Sequence, residues 1–166
     1  NSMSDILTSA NIEYVKWEFN RNLSEVGSEL LEAKHQKEVA HRYVLGLYAL
    51  LDRLNTAFPN VLFEGCSGGG GRFDPAMLYY CPQIWTSDNT DPYARVFIEY
   101  GTSLAYPVSA ISCHFTEGVC TSGRASSYDF RYKVASFGAY GYELDLSKYD
   151  ETDKAVFKVY SMQYRK

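Results

Sequence analysis

The sequence predicts an α/β fold made of parallel (β/α) units, five of the eight units of a TIM-type barrel. Strand-like apolar runs alternate with helical stretches along the whole chain, which favours a parallel sheet packed against helices. No dinucleotide-binding glycine motif follows the first strand, which disfavours an open Rossmann-like sheet. The 166 residues have the length of one ordinary domain, so residues 1–166 are predicted to form a single, partial barrel.

Five short runs have the composition of β-strands, and they cover residues 12–19, 61–66, 83–86, 110–115 and 140–146. Between the first two runs, apolar residues recur every three or four positions, which predicts a long helix with one face against a sheet. These residues are Val39, Ala40, Tyr43, Val44, Leu47, Leu51 and Leu54.

Later helices are predicted after Asp74-Pro75 and Asp91-Pro92, over residues 128–138, and from about residue 150 onward. In the two Asp-Pro pairs the carboxylate can cap free backbone N–H groups, and proline suits the first helical position. Asn1 to Met3 resemble a cloning remnant and are left out of the predicted fold.

A complete barrel needs eight units, so the five predicted here indicate a fragment whose first three strands lie upstream. Its outer strands would be open edges, which favour pairing with another chain. We therefore expect either a homo-oligomer or pairing with the missing half of the barrel.

Composition excludes two classes of partner. The net charge is −4 and no Lys/Arg cluster is present, which argues against nucleic acid. No apolar run reaches the roughly 20 residues of a membrane helix.

Four cysteines without a C-x-x-C pattern predict free thiols in a reducing compartment, hence a cytoplasmic protein. The three histidines lack metal-ligand spacing, and no metal or cofactor is predicted.

Polar residues fall near the carboxyl ends of four predicted strands: Glu18, Cys66, Asp88 and His114. Active sites of barrels lie at that rim. Two carboxylates across a site are what glycoside hydrolysis requires, one as nucleophile or base and the other as acid. The run 68–71 lacks the lysine of a phosphate-binding loop, and its glycines are predicted to let a ligand approach the backbone. A flexible loop is the alternative interpretation.

Four segments carry a resemblance to a known family: residues 14–21 (YVKWEFNR), 66–74 (CSGGGGRFD), 85–91 (WTSDNTD) and 141–145 (GYELD). They closely resemble the family 36 α-galactosidases, in the same order and over nearly the whole chain. The resemblance also places them in barrel units four to eight, in agreement with five predicted units.

The resemblance implies a role for six residues. Glu18 falls on the family's nucleophile and Asp88 on its general acid/base. Lys16 and Asn20 match positions that hydrogen-bond galactose hydroxyls, while Cys66 and Gly68 match positions lining the sugar pocket. The implied reaction on terminal α-galactosides, such as the raffinose series, retains configuration through a covalent galactosyl-enzyme, without metal or cofactor.

The sequence departs from the family at one position, because the family has Lys-Trp-Asp where this chain has Lys16-Trp17-Glu18. The extra methylene moves the attacking oxygen by about 1 Å, a misplacement that can cost on the order of a hundredfold in rate. Two further interpretations therefore stay open. The chain could be an inactive structural piece of a barrel, or part of a related glycosidase or transglycosylase that uses another sugar or acceptor.

Overall fold

The chain folds into five strands joined by helices, in a computed structural model that describes residues 2–20, 24, 26–120 and 122–166. The strands are β1 (Tyr14–Glu18), β2 (Leu62–Cys66), β3 (Gln83–Trp85), β4 (Ile111–Thr116) and β5 (Ala139–Glu143). The α-helices are α1 (Ser2–Ser9), α2 (Val39–Ala57), α3 (Pro75–Tyr80), α4 (Pro92–Ser103), α5 (Tyr128–Ala135) and α6 (Glu151–Tyr164). All five predicted strands are confirmed, with ends shifted by a few residues.

The strand order distinguishes the barrel from the open sheet. The order is β1-β2-β3-β4-β5, and every neighbouring pair is parallel. A doubly wound sheet reverses its strand order at a switch point, whereas right-handed crossovers in chain order put all the helices on one face. The other face is concave, because Lys16 Nζ of β1 lies 3.2 Å from Glu143 Oε2 of β5. The fold is therefore a curled half-barrel, as predicted.

The core lies between the sheet and the helices. Leu51 and Leu54 of α2 are buried, as the helical periodicity predicts, and they pack with Phe63 of β2 and Ile84 of β3. A second cluster forms around Phe115 of β4, against α5 and α6. Strand side chains alternate between faces, so burial of these residues on the helix side turns their neighbours toward the concave side.

The predicted helix starts are confirmed in detail. The Asp74 carboxylate accepts hydrogen bonds from the backbone N–H groups of Ala76 and Met77. The Asp91 carboxylate likewise accepts one from Tyr93. In α3 and α4 proline occupies the first turn, so each Asp-Pro pair fixes where a helix begins after its strand and loop.

The exclusion of Asn1 to Met3 from the fold is wrong for Ser2 and Met3, because α1 begins at Ser2. Met3 belongs to α1 and packs against the first core cluster, near the buried Leu7. Asn1 lies outside the described residues, as does Arg21 at the end of the first motif. Among the described residues, no helix combines the length and the apolar character needed to cross a bilayer.

Candidate active site

Three side chains converge where the first three strands end. Glu18 is the last residue of β1, Cys66 is the last residue of β2, and Asp88 lies in the loop after β3. One carboxylate oxygen of Glu18, one of Asp88 and the Cys66 sulfur all lie within 4.8 Å of one another. Both carboxyl residues are exposed and the cysteine is buried. The structure thus brings together two acids that stand far apart in the sequence.

The Cys66 thiol is the immediate partner of Glu18, with its sulfur 3.0 Å from Glu18 Oε1. Burial and, next in size, the hydrogen bond to Glu18 raise the pKa of this thiol to about 12. The thiol is therefore neutral near pH 7 and donates a hydrogen bond to the carboxylate. This contact fixes the direction in which one Glu18 oxygen points.

The glycine run holds the loop after β2 against the loop that carries Asp88. Gly69 has φ +79°, and a Cβ at this position would lie 2.5 Å from Ser87 Cα and 2.8 Å from Asp88 N. The sequence predicts that these glycines leave room for a ligand, and among them only Gly68 has such room. A Cβ at Gly68 would have one neighbouring atom within 4 Å, Asn20 Oδ1 at 3.9 Å. A Cβ at Gly70 would lie 2.6 Å from the Thr86 carbonyl oxygen, and one at Gly71 would lie 2.6 Å from the Ser67 carbonyl oxygen, so these two glycines serve backbone packing.

The backbone directly after β1 is braced by the same loop. The Ser67 hydroxyl donates to the Phe19 carbonyl at 2.8 Å, and Arg72 Nη1 donates to the same carbonyl at 3.3 Å. The Arg72 guanidinium also stacks 4.5 Å above the Phe19 ring. Asn20 Oδ1 accepts from the backbone N–H of Gly68 at 2.6 Å. Two residues of the predicted sugar site, Asn20 and Gly68, are thus in direct contact.

Lys16 precedes Glu18 by two positions and shares its concave face of β1. Its ammonium lies 3.2 Å from Glu143 Oε2 and 4.9 Å from the centre of the Trp85 ring. The ion pair to β5 and the aromatic contact to β3 hold the charge on the floor of the concave face, below the two carboxylates.

His114 is not at the rim, which corrects its predicted position. Strand β4 continues to Thr116, and His114 lies within it on the concave side. Its Nε2 is 3.0 Å from Glu64 Oε2, and the Tyr14 hydroxyl also donates to the Glu64 carboxylate. Glu64 is fully buried, so these two partners satisfy an acid that would otherwise be costly to bury. His114 therefore belongs to a structural network inside the half-barrel.

Sequence reasoning missed two polar residues beside the site. Glu64 is a charged residue within the apolar run 61–66, which was a usable signal of a buried polar network. Arg95 of α4 is buried and donates to the carbonyl of Ser87 at 2.7 Å. The sequence offers little sign of this contact, because it depends on how α4 packs beneath the Asp88 loop.

Glu18, Cys66 and Asp88 are also close enough to share an ion. A cysteine binds metal as the thiolate, however, and the raised pKa of Cys66 opposes deprotonation. The arrangement fits a proton-donating partner of a carboxylate better than a set of metal ligands. Paired carboxylates at the carboxyl rim of a (β/α)-barrel sheet are the arrangement that glycoside hydrolases use.

The chain belongs to the Melibiase family, whose model matches residues 1–166. It is 52% identical over 158 residues to alpha-galactosidase AgaA of Geobacillus stearothermophilus, covering 95% of this chain and 22% of the relative. It is 51% identical over 166 residues to alpha-galactosidase 1 of Pediococcus pentosaceus, covering 99% of this chain and 23% of that protein. The predicted resemblance to family 36 α-galactosidases is confirmed.

Solved structures agree with this relationship. The crystal structure of AgaA superposes with a TM-score of 0.92 at 51% identity, over 99% of this chain and 23% of that chain. Variants of AgaA have been crystallised with raffinose and with stachyose, and each carries a substituted aspartate. These two aspartates are 70 positions apart in AgaA, the spacing that separates Glu18 from Asp88. The chain spans less than a quarter of the length of these relatives.

Proposed function

We propose that the chain is part of the catalytic barrel of an α-galactosidase that hydrolyses terminal α-galactosides with retention of configuration. Residues 1–166 form one domain-sized piece of that barrel. Glu18 is the nucleophile and Asp88 is the general acid/base. The identity to alpha-galactosidases over nearly the whole chain supports the substrate class.

The observation that carries the mechanism is the separation of the two carboxylates. One carboxylate oxygen of Glu18 lies within 4.8 Å of one carboxylate oxygen of Asp88. Retaining enzymes hold the two carboxyl groups about 5–5.5 Å apart, whereas inverting enzymes need about 6.5–9.5 Å to admit a water molecule. The short distance supports direct attack by a carboxylate.

The reaction then has two balanced steps. A Glu18 oxygen attacks the anomeric carbon, the bond to the leaving oxygen breaks, and Asp88 gives that oxygen its proton. Water next attacks the same carbon and loses a proton to Asp88, and the bond to Glu18 breaks. Each step inverts the carbon once, so the released galactose keeps the original configuration.

The proposed sugar contacts surround this pair. The Lys16 ammonium is a hydrogen-bond donor on the concave face, where it can reach galactose hydroxyls. The Asn20 amide oxygen already accepts from Gly68, which leaves its NH₂ group as the donor directed to a ligand. Cys66 and Gly68 line the same space. These contacts involve no metal or cofactor.

The test uses a hybrid enzyme, in which residues 1–166 replace the matching segment of Geobacillus AgaA. Its hydrolysis of raffinose is compared with that of the isolated chain and of an Asp88→Asn hybrid. We expect turnover by the hybrid, strong loss on Asp88→Asn, and little or no turnover by the chain alone. A folded hybrid that retains full activity on raffinose after Asp88→Asn would contradict the assignment of Asp88.

A second candidate is a catalytically inactive barrel piece that self-associates or pairs with another segment. It is favoured by Glu18, where the family has aspartate, and by the sheet topology, in which β1 and β5 each pair on one side only within the described residues. A single-species monomer in analytical ultracentrifugation would count against self-association.

The proposed place of action is the cytoplasm. All four cysteines, Cys66, Cys81, Cys113 and Cys120, are buried and unpaired in the structure, which suits a reducing compartment. α-Galactoside sugars are the proposed partners, together with a second copy or the remaining barrel units.

A further inference from the structure

Arg95 is a buried arginine beneath the loop that carries Asp88, and each of its three guanidinium nitrogens donates a hydrogen bond. It is the fourth residue of α4 and only 2% exposed. Its Nη1 donates to the Ser87 carbonyl at 2.7 Å, and its Nη2 donates to the Thr86 hydroxyl at 2.9 Å. Both partners belong to the short segment that joins β3 to Asp88.

The guanidinium is itself held rigidly. Its Nε donates to Glu99 at 2.9 Å, one helical turn further along α4. Its central carbon lies over the Trp85 ring, 3.9 Å from the ring centre. Burial raises the pKa of the Glu99 carboxyl, while the adjacent Arg95 charge opposes that rise and favours the ionised pair. Arginine suits this place because a planar fork can donate in several directions and stack on an aromatic ring.

The Asp88 loop is thus enclosed from two sides. Arg95 binds the residues just before Asp88 from α4, and the Gly69 backbone packs directly against Ser87 and Asp88 from the loop after β2. A segment fixed on both sides cannot shift without breaking hydrogen bonds or opening the contact at Gly69. The position of the Asp88 carboxylate therefore depends on Arg95.

We propose that Arg95 is a positioning residue for the acid/base step, through its hydrogen bonds to the Thr86 hydroxyl and the Ser87 carbonyl. The inference rests on the proposed role of Asp88. Arg95 does not touch the substrate. It keeps Asp88 where its proton can reach the leaving oxygen, so its loss affects substrates that need this proton far more than those that do not.

The experiment compares two substrates in the hybrid enzyme. The leaving group of raffinose is a sugar alkoxide, which needs protonation by an acid. The leaving group of α-galactosyl fluoride is fluoride, which has little need of an acid. We expect Arg95→Lys to lower kcat/KM on raffinose at least tenfold more than on the fluoride, since a misplacement of about 1 Å can cost on the order of a hundredfold. Arg95→Lys keeps the positive charge and removes the planar guanidinium group with its several hydrogen-bond donors.

Arg131→Lys is the matched control. Arg131 is also buried and is also the fourth residue of its helix, α5, where it donates to the carbonyl of Thr116 and stacks on Phe115. It makes no hydrogen bond to the Asp88 loop among the described contacts. Arg131→Lys is expected to change kcat/KM on both substrates by the same factor. An equal change on both substrates with Arg95→Lys would overturn the proposal.

Two further measurements separate the possible failures. Asp88→Asn must itself show the difference between raffinose and the fluoride, and if it does not, the proposed function fails rather than the role of Arg95. In the chain alone, Arg95→Lys is expected to speed amide hydrogen exchange over residues 85–91, while Arg131→Lys leaves this segment protected. Unchanged exchange in the Arg95→Lys chain would contradict the positioning role without any activity assay.

Discussion

Shortening Glu18 to aspartate is expected to raise the activity of the hybrid enzyme on aryl α-galactosides. Glu18 and Asp88 now place carboxylate oxygens within 4.8 Å of each other. Removing one methylene retracts the attacking carboxylate by about 1 Å, which is the difference in reach between Glu18 and the aspartate that the family has at this position. Moving the attacking oxygen by about 1 Å into the correct position is worth on the order of a hundredfold in rate. This corresponds to a decrease of about 2.7 kcal/mol in the activation free energy.

The assay is kcat/KM of the hybrid and its Glu18→Asp and Glu18→Gln variants on one aryl α-galactoside. Glu18→Gln keeps the side-chain length but cannot attack, so it is expected to be inactive. Circular dichroism and thermal unfolding of each variant establish equal folding. Activity of folded Glu18→Asp that is equal to or below that of the unsubstituted hybrid would refute the reasoning about the nucleophile's reach.

Three predictions concern the stability of the chain itself, measured by urea unfolding. Gly69→Ala is expected to cost about 1–3 kcal/mol more than Gly123→Ala, because both glycines have positive φ but only the Gly69 site is closed by neighbouring backbone. Leu51→Ala is expected to cost about 2–5 kcal/mol, since Leu51 is fully buried, while Leu50→Ala on the exposed side of α2 costs less than about 1 kcal/mol. The free energy of unfolding is expected to fall as the pH rises from about 9 toward 12. The Cys66 thiol of the unfolded chain loses its proton in that range, whereas the thiol of the folded chain keeps it. Cys66→Ala is expected to make this decrease smaller. Equal costs for either matched pair, or a pH dependence unaffected by Cys66→Ala, would contradict the corresponding argument.

The sequence predicts the architecture well, because the fold depends on local patterns. Strand composition, the apolar face of α2 and the two Asp-Pro caps each act within a few residues, and all three are confirmed. The strand order could be inferred only from the count of units, since neighbour relations in a sheet are not local. The end of β4 was misjudged because His114 reads as a rim residue, although the strand continues to Thr116.

The candidate site is only partly accessible from the sequence. The two carboxylates could be named because both follow strands in recognisable motifs. The contacts that place Asp88 could not, because Arg95 acts from the inner side of α4 and Gly69 acts through backbone packing. Glu64 was detectable as an acid in an apolar strand, but its partners Tyr14 and His114 lie 50 residues away on either side.

The most direct test of the central claim is to trap the glycosyl intermediate on the hybrid enzyme with a fluorinated galactosyl fluoride whose hydrolysis is slow. Proteolysis and mass spectrometry then locate the modified residue. The account predicts one galactosyl adduct, on Glu18, with none on Asp88. An adduct on another residue, or release of galactose with inverted configuration and no adduct, would contradict the assignment of Glu18 and Asp88 as the nucleophile and acid/base of a retaining enzyme.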